Sequence, residues 1–368
     1  MAATAQAQDK TTEFTTKVAE LLKDYYNFYP TEKIHLTTDK QYYVAGDKIW
    51  LQAFVTYDNP VWTDSLSRVL YVELIDSQKQ IVQTVLLYIQ TNAAKGFLQL
   101  PADLSSDHYH LRAYTSWLRN IGEFAFARIP LIVINPDAPN LLEDEETRSA
   151  LQLSFFTEGG QLVKNIPSKI AFSAVDGYGR PSVVKGFIQD VNGTKYGDFQ
   201  TNEQGLGAFK IMPLSEAALQ AIVPMPDGTQ KVVELPKVKS EGLVLSATHL
   251  GKDSIRLQIQ HNLNSLSDGS QNYFIIAQAQ GKVYFIGAST LESKKITTFI
   301  PKRGMPEGIL HLMILSEKGK LEAERLVYIS KKSTLNIGLS NSATVYQPRE
   351  SITLQIETSD PEDRKSTR

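Results

Sequence analysis

The chain of 368 residues has no cysteine. That removes disulfides, thiolate metal sites, thiol catalysis and lipidation at a cysteine from consideration. It has no surplus of one charge either. Its 38 lysines and arginines stand against 40 aspartates and glutamates, so no basic field exists to hold a nucleic-acid backbone. It lacks a long apolar run: the longest is about Ile129 to Ile134, where a membrane helix needs ~20 residues. It also lacks the short motifs of catalysis. No G-x-S-x-G elbow carries a serine, and Glu158-Gly159-Gly160 precedes neither a Lys-Ser/Thr pair nor a helix. That glycine pair reads as a tight turn, not as a phosphate loop.

What is present is apolar and aromatic. The hydrophobic fraction is 42%, with 16 tyrosines and 15 phenylalanines, which suits a globular β protein. The length allows two to four domains. At the N-terminus, Ala5-Gln6-Ala7 has the shape that precedes a signal-peptidase cut and is taken as the stub of a removed signal. Phe14, Val18, Leu21, Leu22, Tyr25 and Phe28 or Tyr29 then recur at helical spacing, and Pro30 ends the pattern. This is the one long amphipathic helix.

After Pro30 the period changes to two. Strands are expected near residues 34–36, 48–55, 69–74, 81–89, 96–100, 108–114 and 129–134, punctuated by Gly, Pro, Asn and Asp. Seven short strands at this spacing outline a β-sandwich. Asn135-Pro136-Asp137-Ala138-Pro139-Asn140 and the acidic run Glu143 to Glu146 read as a linker. A second β unit follows, with glycine-rich turns and an Asn192-Gly193 hairpin signal, then a third from about Glu241 to Ile329. From Ser333 a fourth begins with two strands, too few to stand alone, and the chain is read as a fragment of something longer. The expected division is 1–30 tail and helix, 31–137, 148–238 and 239–331 for three sandwiches, and 332–368 for the start of a fourth.

Tyr43, Asp47, Ile49 and Leu51 overlay Tyr346, Glu350, Ile352 and Leu354 without a gap, the mark of a repeated domain. The run Glu32-Lys33-Ile34-His35-Leu36-Thr37-Thr38-Asp39-Lys40, with Tyr43, Gly46, Asp47, Ile49 and Trp50 after it, resembles the opening of the macroglobulin MG2 domain. More narrowly it resembles that domain in large envelope proteins of Bacteroidetes. Leu111 to Asn120 is similar to its closing part, and Phe155 to Val163 with Pro167 to Phe172 to the start of the macroglobulin-like domain that follows. The likeness covers about residues 32–236. It implies an all-β array of immunoglobulin-like sandwiches acting as an envelope scaffold, in some members linked to transport. Alpha-2-macroglobulins proper trap proteases through a bait region and a cysteine thioester, and neither is in this stretch.

Among candidate sites, His108 and His110 share a strand face but lack a third ligand for zinc, and more often such a pair faces solvent. Asp39, Asp47 and Asp58 offer oxygens for calcium without the D-x-D-x-D-G loop. Glu143 to Glu146 read as solvated linker carboxylates. No metal, cofactor or catalytic residue is therefore assigned. The strand from Lys48 to Val55 is more informative. Ile49, Leu51, Ala53 and Val55 face one way, and Trp50, Gln52 and Phe54 the other, where exposed aromatics mark contacts. The N-terminal helix can cover that face, or bind a partner or a neighbouring domain instead, with docking inside the chain the plainer reading. Tyr57 and Trp62 bracket a loop that reads as an anchor, with sugar stacking as the alternative. The expected partner-binding set is thus Trp50, Phe54, Tyr57 and Trp62. The reading is a non-catalytic scaffold in the periplasm, at the outer membrane or secreted, binding a protein partner, with a glycan-binding protein or a protease-inhibitor fragment as the alternatives.

Overall fold

A computed structural model describes residues 2–57, 66–138, 150–225, 227–263, 272–330, 336–341, 343 and 345–359, with side chains from residue 13 onward except 26. The chain is all-β apart from one long helix, α1 (Ala2–Phe28), and two short 3-10 turns. The helix reaches back to Ala2, well before its apolar stripe begins, through alanine, glutamine and lysine, which are good helix formers. Pro30 is buried beyond its end, and the carbonyl of Pro30 accepts a 2.7 Å bond from the Trp117 indole.

The first sandwich holds β1 (Glu32–Thr38), β2 (Tyr42–Val44), β3 (Lys48–Tyr57), β4 (Val69–Ile75), β5 (Ile81–Gln90), β6 (Ala93–Gln99), β7 (Asp107–Tyr114) and β8 (Ala127–Ile134). Their order is β1-β3-β6-β5-β4-β7-β8-β2. Only Ile89–Ala94 and Gln90–Ala93 pair β5 with β6, so the sheet folds there into two layers. Between them lie Ile49, Leu51, Ala53, Val55, Leu70, Val72, Leu74, Leu98, Leu111 and Val133. The strand β2 went unread in the sequence because it is three residues long, and it pairs parallel with β8.

The second sandwich packs a three-stranded layer, Leu206–Ile211, Ser168–Val175 and Gln152–Thr157, on a four-stranded one, Lys195–Gln200, Lys185–Asp190, Leu219–Pro224 and Gln230–Glu234. Phe155, Phe172, Phe199 and Phe209 fill it, with ring centroids 5.1 to 6.3 Å apart. The third packs Leu243–Leu250, Ser254–His261 and Lys295–Pro301 on Lys282–Ser289, Tyr273–Ala279, Gly308–Ser316 and Leu321–Ile329. One turn recurs. Asp76, Asp176, Asp190 and Asn202 each accept, through one side-chain oxygen, the amide four residues on. The residue between, Lys79, Gly179, Gly193 or Gly205, is left-handed.

Two contacts set the sandwiches against one another. His108 stacks on Tyr178 of the second sandwich, centroids 5.0 Å apart. The second and third meet at the Glu158-Gly159-Gly160-Gln161 turn. Glu158 pairs with Arg325 at 3.2 Å, and the Gln161 amide donates 2.5 Å to the carbonyl of Glu322. Val163 and Ile166 bury themselves against Val244. Asn262 donates to the carbonyls of Lys164 and Ser240. Of the placements open to the helix, covering the Trp50 face is not the one taken. The helix lies on the third sandwich instead, with Phe14 stacked on Phe274 at 3.7 Å.

A Cβ on Gly159 would stand 2.7 Å from both the amide nitrogen and the carbonyl oxygen of Leu245, whereas one on Gly160 would meet nothing within 4 Å. Both glycines are left-handed, at φ 80° and 81°. Gly160→Ala should therefore cost only the left-handed penalty of about 1–2 kcal/mol in urea unfolding. Gly159→Ala should cost more and split the calorimetric melting of the second and third sandwiches. Equal costs for the two variants would mean the joint is not this close.

Candidate docking face

Asp39 sets the position of the candidate face. One oxygen of its carboxylate accepts the Trp50 amide at 3.0 Å and the Tyr43 hydroxyl at 2.8 Å. Burial works against its charge, but those two bonds outweigh it and hold the carboxyl below its ordinary pKa. Tyr43 is buried, and burial together with donation to Asp39 pushes its phenol up to about 12. Asp47 accepts the Val44 amide and lies 3.5 Å from the Lys40 ammonium. The oxygens of Asp39 and Asp47 thus serve the turn between β2 and β3, and Asp58 lies outside the described residues.

The pleat of β3 sends Ile49, Leu51, Ala53 and Val55 into the core and turns Trp50, Gln52 and Phe54 outward. Trp50 is 55% and Phe54 43% exposed. Antiparallel pairing of β3 with β6 sets Phe97, 44% exposed, directly opposite Trp50, with ring centroids 5.5 Å apart. The Lys48 ammonium sits 4.8 Å from the Phe97 ring. A groove of about 550 Å³ runs beside Trp50, lined by Thr37, Asp39, Gln52 and Lys95. Phe97 was not in the expected set. Its signal was present: Leu98 and Leu100 point inward, so Phe97 and Gln99 must point out.

Tyr57 departs from that set. Its hydroxyl donates to Glu32 at 3.1 Å and accepts the Leu66 amide. Glu32 is buried and also accepts from Ser67 and Thr115, so Tyr57 fastens the end of the sandwich. Trp62, with residues 58–65, lies outside the described residues. The other outer surface is polar at its centre. Glu73 is buried and receives Arg112 at 2.6 and 2.8 Å and the Tyr114 hydroxyl at 2.7 Å. Burial, then the arginines Arg128 and Arg112, hold His110 below its ordinary pKa. His108 serves the joint with Tyr178. Among the described residues no group of three or more His, Cys, Asp or Glu comes together to hold a metal, and no helix is long and apolar enough to cross a membrane.

The repeat seen in the sequence supplies an internal control. The last two strands, Asn336–Asn341 and Leu354–Ser359, pair Asn341 with Leu354 as β1 and β3 pair Thr38 with Leu51. The Tyr346 hydroxyl accepts the Ala343 amide at 3.0 Å, as Tyr43 accepts that of Lys40 at 3.0 Å. Glu350 accepts the Gln347 amide, as Asp47 accepts that of Val44. Arg349 is left-handed, as is Gly46. The positions that face inward in β3 stay apolar, Ile352, Leu354 and Ile356 for Ile49, Leu51 and Ala53, though all three are exposed in this two-stranded hairpin. The alternate positions do not stay aromatic. Thr353 and Glu357 stand where Trp50 and Phe54 stand, and only Gln52 is repeated, as Gln355. The turn and its pairing therefore form without an aromatic at those two positions.

No family model matches the chain and no curated protein matches it. Among solved structures it is similar to Escherichia coli alpha-2-macroglobulin activated by porcine elastase, at 11% identity and TM-score 0.30, covering 89% of this chain and 33% of that one. It is similar to a tetra-tandem repeat in the extending region of a large adhesion protein, at 10% identity and TM-score 0.24, covering 89% and 88%. It is similar also to the Escherichia coli adhesin FdeC, at 10% identity and TM-score 0.20, covering 82% and 97%. The chain spans about a third of that macroglobulin's length. Superposition this loose assigns no activity, and the tandem-sandwich fold rests on the strand pairing described above.

Tyr43 makes the turn below this face sensitive to alkali. A phenol whose pKa is raised on folding contributes stability that is whole below its unfolded value near 10 and is lost as pH climbs through about 12. Urea midpoints should fall between those two pH values, and less steeply in Tyr43→Phe. An unchanged slope in Tyr43→Phe would place the titration elsewhere.

Proposed function

We propose that the chain is a non-catalytic scaffold of the cell envelope, built from macroglobulin-type sandwiches. Its first sandwich holds a protein partner on the outer face around Trp50, Phe97 and Phe54. The division is 31–137, 148–238 and 239–331 for complete sandwiches and 332–368 for the opening of a fourth. The macroglobulin MG2 type, the link to Bacteroidetes envelope proteins and a site at or near the outer membrane belong to this reading, as does a role beside transport.

The observation that carries it is the contrast between repeats. The same turn, two of its hydrogen bonds and the register recur 303 positions later without the aromatics at positions 353 and 357. Trp50 and Phe54 each keep about half of their surface in water, apolar area that a partner can still remove. Against a partner they would be desolvated, and aromatic anchors of this kind dominate interface energies. Binding is by shape and apolar burial, and no bond is made or broken.

The groove beside Trp50, which sets an aromatic ring next to the polar side chains of Thr37, Gln52 and Lys95, favours a glycan as the second reading. A pull-down from detergent-solubilised envelope separates the two. The wild-type chain should retain one protein, and Trp50→Ala with Phe97→Ala should weaken that retention ~30-fold or more, the equivalent of a hot spot of about 2 kcal/mol. Circular dichroism must show the variant folded. Retention unchanged in the folded variant would remove this face from the account. Binding to a polysaccharide array, lost in the same variant, would decide for the glycan.

A further inference from the structure

We infer that α1 is a releasable brace that couples the first sandwich to the third and so sets the direction in which the Trp50–Phe97 face looks. The helix is tied to two different sandwiches. Just beyond its C-terminal end Pro30 is buried, and its carbonyl accepts the Trp117 indole of the first sandwich at 2.7 Å. Midway along it Phe14 stacks on Phe274 of the third sandwich, rings 3.7 Å apart and 18° from parallel. Thr15, Ala19 and Lys23 line the cleft that the helix forms with Ile286.

From Phe14 to Phe28 the helix is rigid and spans ~21 Å at 1.5 Å per residue. It therefore fixes the distance between the two sandwiches it touches. The other contacts complete a circuit. The first sandwich meets the second through His108 and Tyr178, and the second meets the third through Glu158–Arg325, Gln161–Glu322 and the Val163–Ile166–Val244 cluster. The α1 contact closes it.

The links differ in strength. The joint between the second and third sandwiches combines an ion pair, a hydrogen bond and a buried apolar cluster. The described contacts of the helix on the third sandwich are the Phe14–Phe274 pair and the cleft with Ile286, while Leu21 and Phe28 of the same helix stay more than half exposed. The two links of the first sandwich, through α1 and through His108–Tyr178, are thus smaller than the joint between the second and third, and release of α1 leaves the first sandwich held by one ring pair. When α1 is released, Phe274, buried at 2% exposure on the outer side of its strand, loses its cover.

The absence of cysteine makes the test direct, since two introduced cysteines take spin labels without background. Labels at Gln78→Cys in the first sandwich and Lys252→Cys in the third, both on exposed turns of the full chain, report the distance by electron-electron double resonance. The otherwise unaltered chain should give one dominant narrow distance. Phe14→Ala should move the ratio of that distance to a broad, longer set by about two- to twelvefold, the equivalent of an aromatic pair. Phe14→Glu should move it further. Amide exchange in Tyr273–Ser289 should quicken in both variants while the core of the first sandwich, Ile49 to Val55, is unchanged. A distance distribution that Phe14→Ala and Phe14→Glu both leave unaltered would overturn the brace. So would a broad distribution already present with Phe14 in place.

Discussion

The pleat of a single strand, β3, is the constraint on which the candidate face depends. A strand must send alternate residues to opposite sides. Once Ile49, Leu51, Ala53 and Val55 are committed to the core, Trp50, Gln52 and Phe54 have no inward position left. A one-residue slip would bury the tryptophan and expose the isoleucine, so the hydrophobic set locks the register. That register in turn puts Phe97 beside Trp50 and aims the Asp39 carboxylate at the Trp50 amide. The polar groups under the sandwich follow the same economy. Glu32 and Glu73 are buried carboxylates, and each is surrounded by hydroxyl or guanidinium donors that replace the lost water.

The sandwiches are joined by unlike means. Between the second and third, backbone meets backbone at Gly159 and Leu245, and the turn that carries this glycine also supplies the ion pair and the amide donor. Between the first and second, the described contact is one ring against another. An array of this kind holds two members as a unit and leaves the orientation of the first to smaller contacts. Within the array α1 bridges members that are not neighbours in sequence.

Much of this could be read beforehand, and the parts that could not have physical reasons. Strands with clean alternation, such as Ser254–His261 and Lys48–Tyr57, announce themselves. Leu321–Ile329 does not, because leucine, glutamate, alanine and arginine favour a helix. Its pairing with Gly308–Ser316 holds it extended. Lys195–Gln200 carries a glycine and an aspartate in its middle and reads as a loop until its neighbour supplies the hydrogen bonds. The repeat was legible from four residues, yet its meaning lay in the turn geometry and the shared register, which no composition reveals. The glycine pair at 159–160 was correctly a turn, but that it faces another sandwich depends on residues some 85 positions away, at Leu245. The destination of α1 stays open in the sequence for a like reason: an apolar stripe says that a helix docks, not where.

The most direct test of the docking face uses its own repeat as the control. Gln52 and Gln355 occupy equivalent positions of the two repeated strands, one beside Trp50 and Phe54, the other beside Thr353 and Glu357. A photo-crosslinking phenylalanine analogue placed at each position in turn, in cells that make the protein, reads which surface is touched. The account predicts one discrete adduct from position 52 and none from position 355. No adduct from position 52, or the same adduct from both, would contradict it.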